Sequence, residues 1–188
     1  MRLVRDASRS EPQLLNNVND VTNDAALEKQ GVDVSKIKYT EVELPDMEAA
    51  LAAHRVDAIT PIEPFLTGAL KAGNRLVARP YVQTKPGLQV GSYVASKKYI
   101  GEHPDVIRRF SAAVRETGAY AAKHPGELRQ ALATQGKVPK SLAGKMTLPV
   151  WHGQVDMASL QLYPPLMKRF GLVKEQPSVK DVVANPGG

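Results

Sequence analysis

The stretch Val56-Asp57-Ala58-Ile59-Thr60-Pro61-Ile62-Glu63-Pro64-Phe65 most constrains what this chain can fold into. The short apolar run Val56–Ile59 predicts a buried strand. Pro61 and Pro64 stop that strand and set the start of a helix, whose pattern continues through Leu66, Leu70 and Ala72. Thr60, Glu63 and Phe65 therefore sit at a strand-to-helix corner. Open α/β sheets bind ligands at such corners, outside the carboxyl ends of their strands. The corner predicts one wall of a ligand site.

The residues before it extend the pattern. Ile37–Leu44 is rich in β-branched residues and alternates, which predicts a strand. Asp46, after Pro45, is placed to cap a short helix from Met47 to His54. With Val56–Ile59 these make a βαβ unit. Upstream, Asn16 or Asn17 caps a helix carrying Val18, Thr22, Ala25, Ala26 and Leu27, and Gly31 closes it. Residues 1–15 are polar and basic, so a poorly structured segment is expected there. The strand that should precede the Asn16 helix is accordingly missing from the expected fold.

Downstream, Leu76–Arg79 and Leu88–Ser96 are expected strands, with a Pro86-Gly87 turn between them. From Pro104 the pattern is helical: Val106, Ile107, Phe110, Val114 and Ala121 share one face. Shorter helices are expected at Glu127–Thr134 and Lys140–Met146, and in a last one capped by Asp156. Pro164-Pro165 must break or kink that last helix. The fold class is α/β: an incomplete lobe followed by a helical extension.

Composition excludes several functions. The chain has no cysteine, so thiolate metal sites, iron–sulfur clusters and Cys nucleophiles are unavailable. His54, His103, His124 and His152 are far apart and show no metal-ligand spacing. The net charge of +6 is carried by basic residues spread along the chain, and aromatics are only 5%. Neither feature suits a nucleic-acid reader. No apolar run reaches the roughly 18 residues of a membrane span. The first ten residues contain no apolar h-region of a signal peptide.

The segments Leu15–Asn19, Ala26–Asp33, Pro45–Leu51, Val56-Asp57-Ala58, Glu63-Pro64-Phe65, Ala78–Tyr81 and His103–Val106 occur in a set order. In that order the chain, from about residue 15 to 172, resembles the substrate-binding proteins of ABC importers for nitrate, sulfonates, taurine and thiamine-type pyrimidine precursors. The resemblance implies a periplasmic-binding-protein type II-like fold, with two lobes closing on a small anionic or zwitterionic solute. It implies a truncated homologue: an α/β second lobe over 16–95, a helical return to the first lobe over 96–172, and a tail over 173–188. Leu88–Ser96 would be a crossing strand. The implied partners are a small ligand and an importer permease, with no nucleic acid and no membrane contact except through the permease or a lipid anchor. The implied location is periplasmic, or extracellular and membrane-anchored, although the chain shows no export signal of its own.

On residues alone, Asn16-Asn17 serves either as an ordinary N-cap or as a helix start facing an anion. The resemblance tips it to the cleft, although Asn19 stands where relatives usually have glycine. Glu63 either favours its helix N-terminus or receives an amine or ring N–H, and Phe65 is either core or a packing surface for the ligand. The resemblance tips Glu63 to the pocket. The expected ligand set is Asn16, Asn17, Thr60, Glu63 and Phe65, with no catalytic or metal residues and no cofactor. Relatives that make the thiamine pyrimidine use pyridoxal phosphate and an iron-linked Cys cluster. With no Cys here, no enzyme is expected. With one wall of the cleft, weak or absent binding is expected. The rival readings are the effector domain of a transcription regulator with the same fold, and a non-binding degenerate fragment.

Overall fold

A computed structural model of the chain describes the backbone of residues 2–6 and all of residues 17–184. Its centre is a parallel sheet of three strands: β1 (Arg2–Asp6), β2 (Lys38–Val42) and β3 (Ala58–Ile59), in the order β2-β1-β3. β1 pairs with β2 from Arg2↔Lys38 to Asp6↔Val42, and with β3 at Leu3↔Ala58 and Val4↔Ile59. This corrects two expectations. Arg2–Asp6 is a strand, and it supplies the strand expected before the first helix. It also separates β2 from β3, which are not neighbours. A central strand usually reads as a near-continuous apolar run. Arg2, Arg5 and Asp6 leave only Leu3 and Val4, which hid it in the sequence.

Helix α1 (Val18–Lys29) connects β1 to β2, and α2 (Met47–Ala52) connects β2 to β3. Gly31 follows α1 with φ +80°, a left-handed conformation that a side chain would strain. The two connections step in opposite directions along the sheet, and right-handed crossovers then put α1 and α2 on opposite faces. The buried side chains divide accordingly. Met47, Ala50 and Val56 form one core cluster with Val42, Leu44, Leu51 and Ile59 around it. The buried Val21, Ala25 and Ala26 of α1 lie outside that cluster.

Helix α3 (Phe65–Lys71) follows the corner, and α4 (Pro80–Thr84) was not foreseen from sequence. α4 lies along α1: the Tyr81 hydroxyl donates to Asn19 Oδ1, and Lys29 Nζ donates to the carbonyls of Gln83 (2.9 Å) and Thr84 (3.1 Å). The expected strands Leu76–Arg79 and Leu88–Ser96 do not join a sheet among the described residues. A strand needs a partner ladder, and none of the described strands lies beside either segment.

Helices α5 (Lys97–Glu102), α6 (Pro104–Lys123), α7 (Pro125–Thr134) and α8 (Lys140–Ala143) follow. Val138, Ala143 and Met146 form a second core cluster under α7. The chain then crosses α6, where the Trp151 backbone packs on Gly118. Helices α9 (Met157–Leu160) and α10 (Tyr163–Arg169) are separate, with Pro164 and Pro165 in the first turn of α10. Both return to the α/β lobe: Arg169 pairs with Glu28 of α1 at 2.9 Å. The expected boundary at 96–172 therefore does not divide the contacts, because residues from Asp156 onward pack with the sheet lobe.

Candidate functional site

The order β2-β1-β3 fixes where a ligand would sit. From β1 the chain steps to one side, and from β2 it steps back across to the other. The crevice between the carboxyl ends of β1 and β3 is therefore a topological switch point, where open α/β sheets leave room for a ligand. The α1 start and the Thr60–Phe65 corner emerge at this edge. Asn16 lies outside the described residues.

Asn17 is the N-cap of α1 and completes a capping box. Its Oδ1 accepts from Asn19 N at 2.7 Å, and its own N–H donates to Asp20 Oδ2 at 3.3 Å. The cap reading from sequence is thus what the side chains make. Two of the donors an anion would use are occupied, and the Asp20 carboxylate stands at the same helix start. The Asn19 side chain is drawn to the Tyr81 hydroxyl on α4. Burial pushes the Tyr81 phenol up.

At the other corner, Thr60 is half-buried directly after β3. Glu63 precedes a cis peptide bond to Pro64, and both its oxygens are engaged. Oε2 accepts from Thr67 N in α3 at 3.1 Å, and Oε1 accepts from Thr147 N at 3.0 Å. Glu63 therefore ties the corner to the segment after α8. Phe65 opens α3 and is half-buried.

A cleft of about 370 Å³ adjoins Asn17. Its walls are Val18 and Val21 of α1, Val90 and Val94 of the irregular segment after α4, and Leu160 and Met167 of α9 and α10. Of the expected site residues that the structure describes, only Asn17 lines it. Thr60, Glu63 and Phe65 stand at the sheet edge and do not face this cleft.

One wall is held by a polar network that sequence reasoning missed. Lys85 Nζ donates to Asp156 Oδ2 at 2.7 Å and to Ser159 Oγ at 3.1 Å. Ser159 Oγ donates to Asp156 Oδ2 and accepts from Gln89 N at 3.1 Å. Asp156 N donates to Gln89 Oε1 at 2.7 Å, and Tyr163 OH donates to Gln89 O at 2.7 Å. The Lys85 ammonium, then Ser159, holds the Asp156 carboxyl well below its usual range. Burial, with Tyr81 nearby, pushes the Tyr163 phenol up to about 12. A Ser beside a Lys can be a nucleophile and its base. Here Ser159 is fully buried, its proton points to a carboxylate, and Lys85 is ion-paired. The arrangement is a strut. Only the Asp156 cap of α9 was legible beforehand; its partners lie roughly 70 residues away in the chain.

Among the described residues no group of three or more His, Asp or Glu side chains is placed to hold a metal, and no helix is long and apolar enough to cross a membrane. A family profile described as "NMT1/THI5 like" matches residues 14–128, more than half of the chain. Neither the curated proteins nor the solved structures compared with it include a match.

Proposed function

The chain belongs to the NMT1/THI5-like family, and from that premise we propose that it is the solute-binding component of an ABC importer, without catalytic activity of its own. The family is consistent with a solute-binding role. The observation that carries the reading is the switch-point crevice between β1 and β3, with Asn17 at one rim and Thr60 at the other. A lobe of this kind holds one side of the solute, and a second lobe closes on the other side. Closure is favoured only by contacts the solute makes in the closed state. A permease that accepts the closed form, in the periplasm or at an outer cell surface, completes the proposed role.

The solute class implied by the resemblance is anionic or zwitterionic: sulfonate, taurine or nitrate-like. Asp20 and Glu63 place carboxylates at the two helix starts that flank the crevice. Like charge at close range disfavours a bare anion there. Within the implied range, a zwitterion or a neutral pyrimidine fits this edge better than nitrate.

The test is a titration of the isotope-labelled chain with taurine, alkanesulfonates, nitrate and pyrimidines, followed by amide NMR. A single wall binds weakly, so shifts are expected at high concentrations. They should map to residues 17–19 and 60–65. Amides at that edge that stay unmoved by every compound would sink the proposal.

A further inference from the structure

The cleft beside Asn17 differs chemically from the sheet edge. None of the twelve described residues that line it carries a charged side chain. Its larger polar side chains are engaged from within. Asn17 Oδ1 holds Asn19 N, Gln89 Oε1 holds Asp156 N, and Gln89 Nε2 donates to Ser92 Oγ at 2.7 Å and Gly91 O at 3.2 Å. The Tyr163 hydroxyl gives its proton to Gln89 O. An ion entering would lose water and meet no counter-charge, a cost of several kcal/mol. An apolar group entering would cover Val18, Val90, Val94, Leu160 and Met167, with Val21 behind them. At about 370 Å³ the space matches the lower end of small-molecule pockets.

We infer that this cleft is a binding site for an uncharged, apolar small-molecule body, an alkyl or aryl group. The inference deepens the proposed function and rests on it in one respect: the polar end of the same solute would lie at the sheet edge, which the cleft joins through Asn17 and Val18. A solute with a polar head and a hydrocarbon body would span both, whereas nitrate and taurine would leave the cleft empty.

The test uses the intact chain and a series of primary alcohols from propanol to octanol, with binding read by amide NMR. Burying each added methylene in an apolar site should tighten binding by about four-fold until the space is full. Shifts should centre on residues 89–94 and 160–167. Gly91→Phe should abolish them, because a side chain at Gly91 meets no atom within 4 Å on its first carbon and can fill the space without disturbing the backbone. Val90→Trp, at a half-exposed position, gives a second way to fill it.

Equal binding to the wild type and both filled variants would overturn the inference, since the alcohols would then be adsorbing on apolar surface elsewhere. Shifts at residues 17–19 and 60–65 with the polar solutes, but none at the cleft with the alcohols, would overturn it and leave the importer reading standing. A chain-length dependence without any response to the polar solutes would support the cleft and remove the importer reading. Silence from both series would end both.

Discussion

Ser159→Ala tests whether the strut, rather than the sheet, positions the cleft wall. Ser159 is fully buried and makes three contacts: it donates to Asp156 Oδ2 and accepts from Gln89 N and Lys85 Nζ. Alanine removes all three. Lys85 keeps its 2.7 Å bond to Asp156, and Asp156 Oδ1 still caps α9 at Ala158 N, so the ion pair and the helix start survive. What is lost is the only hydrogen bond of the Gln89 N–H among the described residues. A half-buried donor left without an acceptor costs about 1–3 kcal/mol. With a urea slope near 2 kcal/mol/M, the midpoint should fall by roughly 0.5–1.5 M at unchanged slope. Gln89 amide exchange should quicken by roughly 5- to 150-fold, the same energy expressed locally. A midpoint within about 0.25 M of wild type, equivalent to the ~0.5 kcal/mol of a neutral surface change, together with unchanged Gln89 exchange, would refute the strut.

Asp156→Asn should destabilise the protein at neutral pH and progressively less in acid. A carboxyl whose folded pKa is depressed contributes stability above its unfolded value of 3.8, and the contribution is lost as pH falls through the folded value. The urea-midpoint gap between wild type and variant should therefore narrow steadily as pH falls below about 4, and a gap constant from pH 6 to pH 2 would contradict the cause. Gly118→Ala places a carbon 2.9 Å from the Trp151 carbonyl oxygen and 3.0 Å from its Cβ. The cost should be about 1–3 kcal/mol, with a shift in the emission of the chain's single tryptophan; unchanged emission would mean that Trp151 does not rest on α6. Met47→Ala, at a side chain 1% exposed in the cluster under β3, should cost about 2–5 kcal/mol by thermal or urea unfolding, and a loss under 1 kcal/mol would deny that cluster its role.

Elements that announce themselves by local chemistry were legible in the sequence. α6 runs from Pro104 to Lys123 as its apolar period and its flanking His-Pro pairs predict. Asn17, Gly31, Asp156 and Pro164-Pro165 do what caps and breakers do. The misses share a different cause. β1 is a strand because β2 and β3 flank it, and Leu88–Ser96 forms no strand among the described residues because nothing flanks it. Sheet membership is a property of neighbours, and local alternation reports it poorly. The strut was illegible for the same reason: Lys85 and Gln89 meet Asp156 and Ser159 only after the chain has left the lobe and returned.

The return also explains how charge and packing are divided. Residues 97–145 contain ten Lys or Arg against four Asp or Glu, so the whole net charge of +6 resides there. The longest helix of that stretch is sparsely buried: α6 hides only Gly118, while Phe110 is 47% exposed and the neighbouring Tyr93, edge-on against it at 5.1 Å, is 70% exposed. The sheet lobe and the α9–α10 return are close to neutral and are cross-braced by Arg169–Glu28 and Lys85–Asp156. Both helix starts at the switch point carry their own carboxylates, Asp20 and Glu63. On the proposed reading, a solute at this lobe would be held by fit and apolar contact more than by charge, with the basic helices outside that contact.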